Sequence, residues 1–238
     1  MSRCLTATLV VLGLVTLTSR DAAAQSDKDI AAYAGLNGTP VGALSPIMVS
    51  TGTKGEKPFN SIVGRYSHYS PNGGGDGNNQ FGATWFHKAG TNAAVSGTVG
   101  YLAPGCTGCD GVIMAGADVH STLWNSVGSP TVTSVNLQGS LGYGHDPDIT
   151  YLSLAVGVPL AISMEQASKA RVGLFVTPGY GWGRISATGA SENGALPMVG
   201  AGGSWTSAAG WGLQVSYNKV FISNVSGNNM GLGFTWKM

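Results

Sequence analysis

Three short constellations in this sequence carry residue types suited to chemistry. His68 and Ser70 stand two apart. In an extended segment they share a face, and an imidazole beside a hydroxyl is the pair that activates a serine nucleophile. Cys106 and Cys109 form a Cys-x-x-Cys, a spacing that serves thiol redox chemistry, half of a zinc site or a small local disulfide. Asp118 and His120, again two apart, have the composition of an acid–base or metal pair.

Context narrows each of these. A redox thiol pair needs a helix N-terminus to lower its pKa, and Asp110-Gly111 leading into a strand does not give one. Zinc needs four ligands, of which two thiols are half. A local disulfide in an exposed turn is therefore the expectation for Cys106 and Cys109. His68 and Ser70 run directly into Pro71-Asn72-Gly73-Gly74, where Pro71 bends the chain. Only Asp76 and Asn79 lie near enough in sequence to orient His68. For Asp118 and His120 the plainer reading is a satisfied polar pair facing an interior.

The elements that must hold these residues are strands. From about residue 60, apolar residues alternate with small or polar ones in runs separated by Gly, Pro, Asn, Asp and Ser. Ten runs are legible, at about 60–70, 80–88, 93–103, 111–123, 132–145, 149–163, 169–184, 195–206, 209–222 and 229–238. In the last, Met230, Leu232, Phe234, Trp236 and Met238 alternate with Gly231, Gly233, Thr235 and Lys237. Runs this long suit a tilted membrane strand of about 9–11 residues better than the ~5–6 of soluble sheets.

Composition agrees. Glycine makes up 38 of 238 residues and charged residues only 10%, against a usual ~7% and ~25%. The charge is too sparse for a nucleic-acid surface. No apolar run of about 18 residues follows the N-terminal region, which argues against helical spans. Arg3, the apolar stretch from Leu5 to Thr18 and Ala22-Ala23-Ala24 read as a secretory signal peptide over 1–24. Its removal takes away Arg3, Arg20 and Asp21, leaving ten basic and ten acidic side chains. Export places the cysteines in an oxidising compartment. Residues 25–58, interrupted by Pro40, Pro46 and Pro58, read as a periplasmic lead-in or a segment folded into the barrel mouth.

The turns and aromatics order these strands. With the first strand pointing outward, the outer loops Ser70–Asn79, Pro104–Asp110, Gly144–Asp148, Ile185–Gly194 and Ser223–Asn228 tend to be longer than the inner turns, as membrane barrels require. Trp85, Trp124, Trp205, Trp211 and Trp236 then collect at the inner ends. Tyr69, Tyr101, Tyr143, Tyr151, Tyr180, Trp182 and Tyr217 collect at the outer ends, giving two aromatic girdles.

This combination of leader, alternating strands and terminal Phe234-Thr235-Trp236-Lys237-Met238 resembles the small outer-membrane β-barrel proteins of Gram-negative bacteria. The resemblance covers about residues 60–238. It implies an all-β, antiparallel, up-and-down transmembrane barrel over 59–238, of about ten strands, with eight or twelve as alternatives. It also implies outer-membrane lipid and the barrel assembly machinery as partners. Phe234, Trp236 and Met238 would form the assembly signal, with Met238 standing where that family usually ends in an aromatic. No cofactor, metal or nucleic acid is implied.

The lumen on these parities includes Arg65, Asp118, His120, Gln138, Arg171 and Gln214. Their few, mixed charges predict a narrow pore of weak selectivity, or a structural and surface role, without enzymatic activity. The competing reading follows a second resemblance. Outer-membrane phospholipase A and the lipid A deacylases carry a His and a Ser two apart, followed directly by Asn, and here His68 and Ser70 would be the lipid hydrolase pair, with Pro71 interrupting the motif. A secreted soluble β protein is the third reading.

Overall fold

The computed structural model describes residues 33–37, 39–40, 58–71, 77–90, 92–106, 108–128, 131–187, 189–221 and 227–238. The expected signal peptide, most of 25–58 and loop 72–76 with Asp76 lie outside the described residues.

The alternating runs all fold as strands: β1 Phe59–Pro71, β2 Asn78–Lys88, β3 Ala93–Ala103, β4 Val112–Gly128, β5 Thr131–His145, β6 Ile149–Gly157, β7 Leu160–Glu165, β8 Arg171–Ala187, β9 Ala190–Thr206, β10 Trp211–Val220 and β11 Gly227–Lys237. Neighbours pair antiparallel around a ring, and β1 pairs with both β2 and β11, so the barrel closes. Closure gives each stave a hydrogen-bonded neighbour on both sides through its middle, the condition for strands to cross lipid.

β6 and β7 are two halves of one stave. Both pair with β5 and with β8, and the register passes through unshifted, from Gln138↔Gly157 to Val135↔Leu160 and from Gly157↔Gly179 to Leu160↔Val176. The break falls at Val158-Pro159 because proline has no N–H to give the ladder. Val158 N still donates to Pro178 O (2.9 Å), and Pro159 O accepts from Asn136 N (2.8 Å). The ring thus has ten staves, as the sequence implies.

Several boundaries differ from expectation. The segment expected as an outer loop over 185–194 is mostly ladder: β8 and β9 pair out to Ala187↔Ala190. Glycine at 189 makes this tight reversal feasible, with φ of +79°. On the other side, β4 runs past 123 through a bulge between Thr122 and Trp124. The extra residue puts both Leu123 and Trp124 on the outer face, breaking the alternation.

The faces divide sharply. Ile62, Phe81, Val99, Ile113, Val119, Leu141, Leu154, Leu174, Leu213 and Leu232 point outward and are exposed. Ser61, Thr84, Ser96, Thr98, Ser134, Asn136, Gln138, Ser140, Ser153, Thr177, Gln214 and Thr235 point inward and are buried. A soluble fold puts its apolar side in; this one puts it out, as lipid demands.

Candidate functional site

One end of the barrel carries the connections 72–77, 104–111, 146–148, 188–189 and 221–226; the other carries 89–92, 129–130, 166–170 and 207–210. We call these the loop end and the turn end. Inside, the wall alone would leave a polar channel. A helical turn over 33–37, followed by Thr39 and Pro40, packs against the inside of that wall.

Several contacts seat it. Leu36 is fully buried, in a cluster with Ala155, Leu196, Met198 and Val220 on which Tyr33 packs. Gln80 Nε2 donates to Asn37 O at 3.0 Å. Thr39 Oγ1 donates to Leu36 O at 3.1 Å, so Ser153 Oγ, 2.6 Å away, donates to Thr39 in turn. The Tyr33 hydroxyl is hydrogen-bonded to that of Tyr69, and the rings meet edge to face at 6.0 Å. Burial, and then the Tyr69 hydroxyl, push the Tyr33 phenol above its ordinary range. Of residues 25–58, only 33–37, 39, 40 and 58 are described.

The wall is shaped for this turn. A Cβ on Gly142 would fall 2.8 Å from Thr39 Cβ, and one on Gly181 would fall 2.7 Å from Leu36 Cδ2. One on Gly116 would lie 3.3 Å from Pro40 Cγ. Inward-facing glycines at one level are the signal that sequence reading overlooked: small residues there leave room for an object that must lie inside the ring. Beside Pro40 a recess of about 40 Å³ remains, lined by Arg65, Gln80, Thr98, Gln214 and the glycines 82, 100, 231 and 233. It has space for water rather than for an organic solute.

Below the turn, Asp118, His120 and Gln138 lie on the inner face. Asp118 accepts from Ser96 Oγ at 3.0 Å and Ser140 Oγ at 2.5 Å. Gln138 donates to Ser140 at 3.3 Å. His120 Nε2 is buried with no hydrogen-bond partner. The Asp118 carboxylate is thus held by two serines rather than by His120, and no cluster of three metal-binding side chains occurs among the described residues. Arg171 sits at the turn end, 3.5 Å from Glu165. There Phe59 and Phe86 turn inward with ring centroids 5.9 Å apart, and Lys237 Nζ lies 4.0 Å from the Phe59 centroid.

On the outer face, His68 and Ser70 share a side as expected and both are exposed. Among the described residues no hydrogen bond joins them. His68 Nδ1 instead donates to Asn79 Oδ1 at 2.9 Å, and Tyr66 OH donates to the same oxygen at 2.8 Å. The register that brings His68 opposite Asn79 is that of the β1–β2 hairpin. Cys106 and Cys109 form the expected disulfide. The tryptophans 85, 124, 205, 211 and 236 gather toward the turn end, with Trp205 and Trp211 edge to face at 4.7 Å. Tyr69 and Tyr151, also at the loop end, face the lumen, Tyr69 against Tyr33 and Tyr151 against Leu102, Val112 and Met114.

No protein-family profile matches the chain, and no curated protein matches it. Solved structures do. Ail, the attachment invasion locus protein of Yersinia pestis, is 11% identical over 76% of this chain and 97% of its own, with a TM-score of 0.32. The β domain of the Bordetella autotransporter BrkA is 9% identical over 76% and 98%, with a TM-score of 0.44. The KdgM porin is 13% identical over 72% and 98%, with a TM-score of 0.32. The barrel is established by this chain's own strand pairing and by its reversed polarity, apolar outside and polar within.

Proposed function

We propose that this chain is a non-enzymatic barrel of the cell outer membrane, with a narrow polar lumen closed by residues 33–40. The observation that carries this is Leu36, fully buried inside the ring. Burying a leucine contributes about 1.5–3 kcal/mol. With the bonds at Asn37 and Thr39 this is enough to hold the turn in place, yet modest enough to be overcome.

The passage would suit small solutes with little charge selectivity. Its wall is mostly Ser, Thr, Asn, Gln and Gly, and Arg65, Asp118 and His120 largely balance one another. The lipid of the membrane is the partner of the outward belt. Phe234 and Trp236, outward on β11, and Met238 just after it, all exposed, are the residues that barrel assembly machinery would read.

Planar-bilayer conductance tests the reading. Purified wild type should give rare, small, weakly selective steps, and a variant lacking residues 33–40 should give larger and more frequent ones. A bilayer that stays leak-free with both proteins at high loading would leave a filled, structural barrel instead.

A further inference from the structure

We infer that the recess beside Pro40 binds a halide-sized anion, held by the Arg65 guanidinium. Arg65 stands on the inner face of β1 between buried Val63 and Ser67. Its register partners are Gly82 on β2 and Gly233 on β11, and Gly82 in turn faces Gly100 on β3. The strands on both sides of Arg65 therefore put no side chain beside it, and the recess of about 40 Å³ opens in that gap. Such a site needs only the packed lumen, whether or not the barrel conducts.

Arg65 is the only charged side chain among the described residues of the lining. Its polar neighbours are engaged with others. Ser67 Oγ donates to Gln80 Oε1 at 3.2 Å, Gln80 Nε2 donates to Asn37 O at 3.0 Å, and Thr98 Oγ1 is hydrogen-bonded to Thr84 Oγ1 at 2.8 Å. Asp118 acts on Arg65 through its charge, while its oxygens accept from Ser96 and Ser140. Among the described residues, no acceptor is hydrogen-bonded to the guanidinium, a group with five N–H donors.

Charge and size together name the occupant. Polar groups inside a protein are almost always hydrogen-bonded, so this guanidinium takes its acceptor from solution. An anion makes the stronger, charge-assisted bond, and no carboxylate among the described lining residues opposes it. The volume is close to the roughly 30 Å³ that one water occupies in the liquid. It admits a monatomic halide and excludes the bulkier sulfate and phosphate. The lining adds hydrogens suited to an anion. Gln80 keeps a second amide hydrogen beyond the one given to Asn37. Ser216, whose Oγ lies 2.5 Å from where a Cβ on Gly231 would fall, brings a hydroxyl. Pro40 belongs to the same lining, so the turn over 33–40 closes one side of the site.

The test uses the full chain in an uncharged maltoside micelle, with the line width of the chloride NMR signal as the measure of binding. The wild type should broaden the line saturably. Bromide should reverse the broadening, and sulfate at equal ionic strength should not. Arg65→Gln should weaken binding about tenfold. Gly233→Val keeps the charge but fills the gap beside it, and should also remove the broadening. The wall accommodates that change, since a Cβ at Gly233 meets nothing closer than 3.4 Å. Arg171→Gln removes an equal charge at the turn end and should leave the signal unchanged. A wild type with no saturable broadening overturns the site and leaves the barrel reading intact. So does broadening that sulfate reverses as well as bromide does, that survives in Arg65→Gln or Gly233→Val, or that Arg171→Gln removes equally.

Discussion

Gly35 lies directly against the backbone of Arg184: a Cβ on Gly35 would fall 2.5 Å from Arg184 N and 2.8 Å from the Gly183 carbonyl carbon. The helical turn thus touches the barrel wall with nothing between them. A side chain can swing aside, but β8 cannot, because it is paired to β6 and β9 on either side. Gly35→Val should therefore unseat the turn in an otherwise intact barrel, and single-channel conductance should rise toward that of the variant lacking 33–40. Unchanged conductance would mean that the turn does not obstruct the passage.

Leu36→Ala should act in the same direction and more mildly. It removes the buried anchor at a cost of about 2–5 kcal/mol but leaves the bonds at Asn37 and Thr39. Hydrogen exchange would read this as faster exchange at residues 33–40, with the strand amides unaffected. Uniform acceleration around the ring would show instead that Leu36 supports the whole barrel.

The contact between Tyr33 and Tyr69 predicts an alkaline release. Burial raises the Tyr33 pKa when the turn is seated, whereas a released phenol ionises near its ordinary value of about 10. Seating is then favoured in full below that pH and is lost as pH rises above it, because the released state gives up its proton more readily. Conductance should increase above about pH 10, with a parallel rise in tyrosinate absorbance. Tyr33→Phe should remove the part of the pH response that comes from this residue.

The strands were legible because each run alternates and each turn is punctuated. What the sequence hid has a physical cause in each instance. Pro159 interrupts hydrogen bonding without shifting register, so one stave reads as one run yet forms two segments. Leu123 is a bulge, and a bulge adds a residue that no period-two count anticipates. The helical turn over 33–37 has no amphipathic repeat, since it is too short to show one. Asn79 was legible as one of two candidates to orient His68, but the choice depends on hairpin register, which the six connecting residues 72–77 do not reveal.

Asp118→Asn should lower stability by about 1–3 kcal/mol, because the carboxylate that accepts from both Ser96 and Ser140 would be replaced by an amide with one accepting oxygen. A urea midpoint in detergent measures this. If the passage conducts, the same change should shift the reversal potential toward anions, since it removes the acidic member of the Arg65–Asp118–His120 group.

Ser70→Ala should leave fatty-acid release from phospholipid at the same background as the wild type. A serine nucleophile needs its base within hydrogen-bonding reach, and the committed nitrogen of His68 is bonded to Asn79. Wild-type release above background that disappears in Ser70→Ala would restore the hydrolase reading and recast Asn79 as the residue that orients the base.

Leu232 gives the test that separates a membrane barrel from a soluble one. It is central in β11, points outward and is 59% exposed. In a soluble protein, Leu232→Arg would replace an exposed apolar side chain with a solvated one and cost nothing. Facing lipid near the bilayer midplane, the same arginine should cost about 2–4 kcal/mol, because its charge must leave water or distort the bilayer to reach it. A substitution near the loop tip, Ala190→Arg, should be close to neutral in either setting, since that residue is exposed beside the tight turn at Gly189. Unfolding in phospholipid vesicles would read the difference between the two variants. A loss confined to Leu232→Arg is the expected outcome, and equal stability would remove the bilayer from the account of this fold.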